Sequence, residues 1–234
     1  MKKFKIMGKF IYYLNLGEII PKMRYKMITK KQLKIFGLFG KNTFKEYTFK
    51  ELKELSKEKS NSILQNAISE FLKEELIIER KIGTSKLYKI NHENNKVHDY
   101  LKIYNQEKMT KVIRNDIKLI KEAINKEEQF YALVIFGSHA RKNSSEKSDL
   151  DIAIFIKDKT EKNKIKIALN SASNKTILDI DPHIITESEF QEMLKADYEN
   201  LGKEIAKTNL PIYNSTIFYN LIIRGLKNGF NPLS

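Results

Sequence analysis

The sequence predicts an α+β protein with three parts, and three observations indicate this division. Short helical patterns followed by a hairpin pattern fill residues 30–91, which we call the helix-hairpin module. In the connector, residues 92–127, the apolar residues recur only at helical spacing. In residues 128–234, patterns typical of buried strands alternate with helical patterns. Residues 1–29 are expected to form an N-terminal extension. With 41% hydrophobic residues among 234, the chain can bury packed cores.

Positive charge is concentrated in the first part of the chain. Residues 1–91 carry 21 Lys and Arg against 9 Asp and Glu, whereas residues 131–234 carry 14 against 13. A basic module on an otherwise balanced protein suggests an anionic partner. Nucleic acid is the first expectation, and an acidic protein, a membrane surface or a merely solvated lysine-rich surface are the alternatives.

The chain contains no cysteine, which excludes disulfides, thiolate metal sites and thiol catalysis. The apolar run near its start is interrupted by Asn15, Gly17 and Glu18. It is too short to span a bilayer and no cleavage site follows it, so we expect a cytoplasmic protein with no membrane partner. Met23 and Met27 are alternative starts.

Local signals place three helices and a hairpin in the helix-hairpin module. Apolar residues at helical spacing mark a first helix near Leu33, and Thr48 with Glu51 forms a capping-box pattern for a second. Ser60 is the expected N-cap of a third helix, over residues 60–75. Two strand patterns around Gly83-Thr84-Ser85 then predict a β-hairpin with a basic tip.

This order of elements resembles a winged helix-turn-helix domain. The resemblance implies binding to duplex DNA, with the third helix in the major groove and Lys81 and Lys86 of the wing on phosphates. A module that only contacts protein is the alternative. The polar positions that would reach base edges are Asn61, Ser62, Gln65, Asn66 and Ser69.

The connector is predicted to form one or two helices. Its apolar residues recur at helical spacing from Val97 to Ile124. This stripe is expected to pack on the C-terminal part. Packing on a second copy of the chain, which would make an oligomer, is the alternative.

Three apolar runs in the C-terminal part read as buried strands. They are FYALVIF, DLDIAIFI and KTILDIDPHII, with helices between them, and two helical stretches, the segment PIYN and a final helix complete the chain.

The chemistry is concentrated between the first two strands. Gly137 allows close approach of the backbone, and Ser138 opens a short helix whose N–H groups and hydroxyl favour a phosphate. Asp149 and Asp151 are two residues apart in a strand pattern, so both should lie on one face while Leu150 enters the core. Two adjacent carboxylates repel unless a cation lies between them, which predicts a site for a hard divalent cation.

Residues 137–151 match the pattern Gly-Ser, ten residues, Asp-x-Asp. The pattern resembles that of the DNA polymerase β-like nucleotidyltransferases, in particular the minimal branch. The resemblance implies a polymerase β-like domain with a mixed sheet, using Mg²⁺ and a nucleoside triphosphate such as ATP. It also implies that Gly137, Ser138 and Arg141 contact the nucleotide and that Asp149, Asp151 and a third carboxylate bind metal and catalyse transfer.

Asp181 is the expected third carboxylate and Asp179 is the alternative. Both lie on the same face of the third strand as His183, and Pro182 suggests a sheet edge or a strand end just after Asp181. Arg141 could equally form a salt bridge. His183 is expected to be a structural partner of Asp181, and no zinc site is expected.

Two functions from different classes compete. The resemblance implies transfer of AMP to a hydroxyl, on a partner protein such as a HEPN-type toxin, with this chain as the antitoxin; small-molecule acceptors, as in antibiotic-modifying relatives, are an alternative. The other class is a DNA-binding regulator whose nucleotidyltransferase part only senses nucleotide. The complete set of carboxylates and the intact Gly-Ser turn favour the enzyme.

Overall fold

The computed structural model describes residues 27–141, 143–145 and 148–231, and the described part of residues 31–234 forms one compact unit. Most of the predicted N-terminal extension, including the alternative start at Met23, lies outside the described residues. In the portion described, no helix has the length and apolar character needed to cross a bilayer. The protein is α+β, as predicted.

The elements of the helix-hairpin module follow the predicted order. They are α1 (Lys30–Phe36), a 3-10 turn (Phe39–Lys41), β1 (Tyr47–Thr48), α2 (Phe49–Ser56), α3 (Asn61–Lys73), β2 (Ile77–Ile82) and β3 (Ser85–Ile90). The three strands form an antiparallel sheet in the order β1-β3-β2.

Local chemistry explains the boundaries of these elements. At the start of α2, the Glu51 N–H donates to Thr48 Oγ1 over 3.2 Å and the Thr48 N–H donates to the Glu51 carboxylate over 2.7 Å, which is the predicted capping box. Ser60 occupies the N-cap position of α3, but its hydroxyl contacts Ser62 rather than capping the helix. The hairpin turns at Gly83, whose φ of 56° lies in the left-handed region.

Two connector helices, α4 (Asn95–Lys108) and α5 (Lys111–Ile124), lead into the C-terminal part. The stripe of α5 is buried in one core with alternate residues of the C-terminal sheet. Helix α4 contacts the last strand and the last helix. The apolar stripe therefore packs on the C-terminal part of the same chain, as expected.

The C-terminal part is a four-stranded sheet with helices on both faces. Its elements are β4 (Tyr131–Ile135), α6 (Gly137–Arg141), β5 (Leu150–Ile156), α7 (Lys162–Ser173), β6 (Ile180–Thr186), α8 (Glu187–Lys195), α9 (Leu201–Lys207), β7 (Leu210–Tyr213) and α10 (Ser215–Lys227). The strand order is β6-β5-β4-β7. Strands β5 and β6 are parallel and the other pairs antiparallel, so the sheet is mixed, as predicted.

Because side-chain direction alternates along a strand, successive residues of β5 lie on opposite faces of the sheet. Leu150 and Ile152 are fully buried in the core beneath α5 and α7. Phe155 faces the other way and packs on Phe190 of α8, with ring centroids 4.7 Å apart. Asp151 is four residues before Phe155 and therefore lies on the same face of the sheet, the face covered by α8. It is at the end of the sheet where β5 begins.

The third strand begins later than the sequence pattern predicted. Residues 175–179 were expected to extend it, but β6 starts at Ile180. The cause is a buried carboxylate on α5: Asp116 accepts the backbone N–H groups of Ile177 and Leu178 over 3.1 and 3.0 Å. These N–H groups are therefore satisfied outside the sheet, and strand pairing begins only after them.

One further element differs from the sequence interpretation: the segment containing PIYN is a strand, β7, which pairs with β4. Of the two positions that Pro182 suggested, the structure has the sheet edge and not the strand end. Pro182 lies inside β6, which is an edge strand, and the outer side of an edge strand needs no N–H donor.

Candidate functional site

The Gly-Ser turn follows β4 and opens α6. Gly137 is buried, has a φ of 63°, and approaches Asp151 so closely that a Cβ at position 137 would lie 2.0 Å from Asp151 Oδ2. No residue other than glycine fits this contact without displacing the carboxylate. The Ser138 N–H donates a hydrogen bond to Asp151. The turn therefore positions the Asp151 carboxylate. The Ser138 N–H, which the sequence had suggested would bind a phosphate, bonds to this carboxylate instead.

Asp151 and Asp181 are register partners in the parallel pair β5–β6. Partners in a parallel pair project to the same face, so the two side chains are neighbours at the sheet edge next to the Gly-Ser turn. The pairing extends to the residue just before β6, because the Leu150 N–H at the start of β5 donates to the Asp179 carbonyl over 2.8 Å.

Asp149 and Asp179 each lie just before their strands, and both are exposed. Across the part of the chain that is described, no three His, Asp or Glu side chains come together closely enough to hold a metal ion. The predicted set of Asp149, Asp151 and Asp181 is thus brought to one sheet edge but is not assembled as a coordination shell.

Electrostatics at Asp151 favour a cation. Burial raises the pKa of the Asp151 carboxyl, and the neighbouring charges of Asp181 and Glu204 raise it further. The Ser138 N–H and His139 oppose this shift. A half-buried carboxylate facing two other carboxylates is costly when ionised, and a divalent cation bound between them removes that cost. The oxygen donor set fits Mg²⁺ rather than zinc.

Arg141 is held by an ion pair. Its Nη1 lies 2.8 Å from Glu204 Oε1 on α9, and both side chains are nearly half exposed. An exposed pair of this kind contributes about 0 to 1 kcal/mol, so a phosphate can compete for the guanidinium. Of the two roles expected for Arg141, the structure contains the salt bridge, which is formed with Glu204 on α9.

Both histidines near the carboxylates make structural contacts. His183 Nε2 lies 3.2 Å from Asp181 Oδ2, and the His183 ring meets Phe136 edge-on at 5.5 Å between centroids. His139 Nε2 lies 3.2 Å from the Ser148 carbonyl oxygen. His183 is therefore a partner of Asp181, as expected.

Two residues that sequence reasoning missed shape this site. Glu204 contributes charge beside Asp151, and Asp116 anchors the segment that precedes β6. Each acts across more than 50 residues of sequence and belongs to no local motif. The only signal in the sequence for the role of Asp116 was that it is an acidic residue among the apolar positions of a helix.

Comparison with known proteins supports the interpretation of this region. Residues 118–216 match the family model described as Polymerase beta, Nucleotidyltransferase. The matched range runs from α5 into α10 and contains the Gly-Ser turn and all the candidate carboxylates. This part of the chain is thus similar to nucleotidyltransferase domains of the polymerase β type.

The other comparisons add little. No curated protein matches the chain. Among solved structures, the zinc-responsive MarR family member ZitR of Lactococcus lactis is 14% identical, with 54% of this chain and 99% of that chain covered. The TM-score of that comparison is 0.26, too low to bear on fold or function.

Proposed function

We propose that the chain is a divalent-metal-dependent nucleotidyltransferase that transfers a nucleoside monophosphate, AMP from ATP, to a hydroxyl. The observation that supports this most is the register pairing of Asp151 with Asp181 beside the Gly-Ser turn. Transfer of a nucleotidyl group requires charge neutralisation and alignment more than covalent help from the protein. Carboxylates that repel one another at an accessible sheet edge supply the cation site that this chemistry needs.

Each residue of the site has a distinct role in this proposal. Asp149, Asp151 and Asp181 would hold Mg²⁺, which neutralises charge on the triphosphate when bound. Gly137 keeps the turn close to Asp151, and the Ser138 hydroxyl contacts phosphate. Arg141 leaves Glu204 and pairs with a phosphate oxygen.

Asp181 activates the acceptor. It takes the proton from the attacking hydroxyl, the new bond forms between that oxygen and the α-phosphorus, and the bond to the bridging oxygen of the β-phosphate breaks as pyrophosphate leaves. The contact with His183 fixes the carboxylate of Asp181 for this role. The register with Asp151 supports Asp181 over Asp179, which precedes the strand.

The acceptor in this proposal is a hydroxyl on a partner protein, such as a HEPN-type toxin, with the chain acting as its antitoxin. This assignment depends on the resemblance to minimal nucleotidyltransferases. A small-molecule acceptor is the competing possibility within the same chemistry.

Isothermal titration with Mg²⁺ and ATP tests the donor site. The parent should bind the nucleotide only with the cation, and Asp149→Asn and Asp151→Asn should each weaken binding at least tenfold. Asp197→Asn, an exposed carboxylate on another loop, is the matched control and should bind as the parent does. Parental affinity in both site variants would show that the metal site is wrongly assigned.

The second candidate is a DNA-binding regulator, and the surface of the helix-hairpin module favours it. All five polar positions named for α3 are exposed: Asn61, Ser62, Gln65, Asn66 and Ser69. Lys81 and Lys86 are exposed on the hairpin, but Lys86 Nζ is paired with Glu79 over 3.0 Å. Part of the positive charge of the wing is thus neutralised, and we expect weak, salt-dependent binding to duplex DNA.

Fluorescence anisotropy of a labelled duplex with the full chain tests this second function. Lys81→Ala should weaken binding and lower the slope of log affinity against log salt by about 1, because one phosphate contact is lost. Lys166→Ala, an exposed lysine on α7, is the control and should change neither. Absence of binding at low salt would leave protein docking as the role of the module.

A further inference from the structure

A cleft of about 620 Å³ opens beside the C-terminal end of α6, and we call it the Asn105 cleft. One wall is formed by Arg141 and Asn143, after the Gly-Ser turn, with Asn209 from the segment before β7. Asn105 and Lys108 of α4 line it as well. Its volume falls in the range of small-molecule sites.

The Asn105 cleft continues a line of functional groups along one edge of the sheet. Asp181 lies on the edge strand β6, Asp151 follows on β5, and the Gly-Ser turn follows β4. Leu210, which lines the cleft, pairs with Ile135 at the end of β4. The cleft is therefore on the opposite side of the turn from the acceptor-activating carboxylate. The five residues of α6 separate Gly137 from the cleft by only about 6 Å, a gap that a ribose can bridge.

The chemistry of the cleft suits a nucleoside. Among its described lining residues there are three carboxamides and two cations but no carboxylate. The Asn209 amide already donates to the Ile205 and Ala206 carbonyls, and Arg141 is paired with Glu204. Asn105, Asn143 and Lys108 are therefore the groups that would contact the base and the ribose. Asn105 is 5% exposed, and its Nδ2 donates only a long 3.5 Å hydrogen bond to the Pro211 carbonyl. A buried carboxamide with so weak a bond retains capacity for a ligand. Carboxamides pair with the edges of nucleobases, and the ammonium of Lys108 can donate to ring nitrogens or ribose oxygens.

We propose that the Asn105 cleft holds the nucleoside part of the donor nucleotide, so that helix α4 contributes to donor recognition. This inference depends on the proposed nucleotidyl transfer. Asn105 and Lys108 lie outside residues 118–216, the range that matches the nucleotidyltransferase family. Gly40 of the helix-hairpin module also lines the cleft, so the bound nucleoside contacts both halves of the protein.

Titrations of the full chain with Mg²⁺-ATP and with Mg²⁺-tripolyphosphate test the proposal, because tripolyphosphate has the phosphates without a nucleoside. The cleft variant combines Lys108→Gln with Asn143→Ala, two positions with exposed surface. It should bind ATP at least tenfold more weakly than the parent and bind tripolyphosphate with unchanged affinity. Lys102→Gln, on the same helix but outside the cleft, should match the parent with both ligands.

The remaining outcomes of these titrations overturn either the nucleoside assignment or the donor site. A cleft variant that binds ATP as tightly as the parent, or that loses both ligands equally, overturns the nucleoside assignment and leaves the metal site intact. A parent that binds tripolyphosphate as tightly as all four nucleoside triphosphates overturns it too. A parent that binds neither kind of ligand overturns the donor site itself, and with it the proposed function.

Discussion

Gly137→Ala is the most informative single substitution at the site. The backbone at Gly137 has a φ of 63°, a conformation that costs a residue with a Cβ about 1–2 kcal/mol. The new methyl group would also lie 2.0 Å from Asp151 Oδ2, so the carboxylate must retreat by roughly 1 Å to reach even the closest contact that carbon and oxygen tolerate. Together we expect a loss of about 2–4 kcal/mol in the free energy of unfolding.

Gly83→Ala separates the two contributions. Its φ of 56° is similar, but nothing lies within 4 Å of the added Cβ, so only the conformational cost of about 1–2 kcal/mol should appear. Urea denaturation measures both variants, and titration with Mg²⁺-ATP measures the site. Gly137→Ala should bind at least tenfold more weakly, whereas Gly83→Ala should bind as the parent does. Equal stability losses and parental nucleotide affinity in Gly137→Ala would refute the close contact with Asp151.

Three further substitutions test other parts of the account. Asp116→Ala removes the acceptor of the Ile177 and Leu178 N–H groups and should cost about 1–3 kcal/mol in urea denaturation. Asp116→Asn keeps one acceptor oxygen and should cost less, so equal losses in the two variants would contradict the role of these hydrogen bonds. Because the pKa of Asp151 is raised, the folded state binds that proton more tightly than the unfolded state, and the metal-free protein should lose stability as the pH rises from 3.8 through the raised pKa. Asp151→Asn should remove that part of the pH dependence, and an unchanged profile would count against a raised pKa at Asp151. Thr48→Ala should cost about 1 kcal/mol through loss of the capping box and leave nucleotide affinity unchanged, so a change in affinity would argue against an independent role for α2.

Features set by neighbours in sequence were predictable. The capping box at Thr48, the turn at Gly83 and the inward Leu150 between two aspartates each follow from the residues within a few positions. Local hydrogen bonds and strand alternation determine them, and no distant residue competes.

Features set by distant residues were not predictable. The late start of β6 depends on Asp116, which lies on another element about 60 positions away. The pairing of Arg141 with Glu204 is equally distant in sequence. Strand β7 was missed because its four residues include a proline and pair only through tertiary contact with β4.

The measurement that tests the central claim most directly is transfer of the α-phosphate label of ATP to a co-purified partner protein, with Mg²⁺ present. We expect that the parent labels the partner, that Asp181→Ala still binds ATP, because Asp149 and Asp151 remain to hold the cation, but transfers nothing, and that Asp149→Ala loses both binding and transfer. Asp179→Ala should transfer as the parent does, because Asp181 and not Asp179 is in register with Asp151. A partner that binds stably yet never gains a nucleotide with any of the four nucleoside triphosphates, or an Asp181→Ala variant that transfers at the parental rate, would contradict the account.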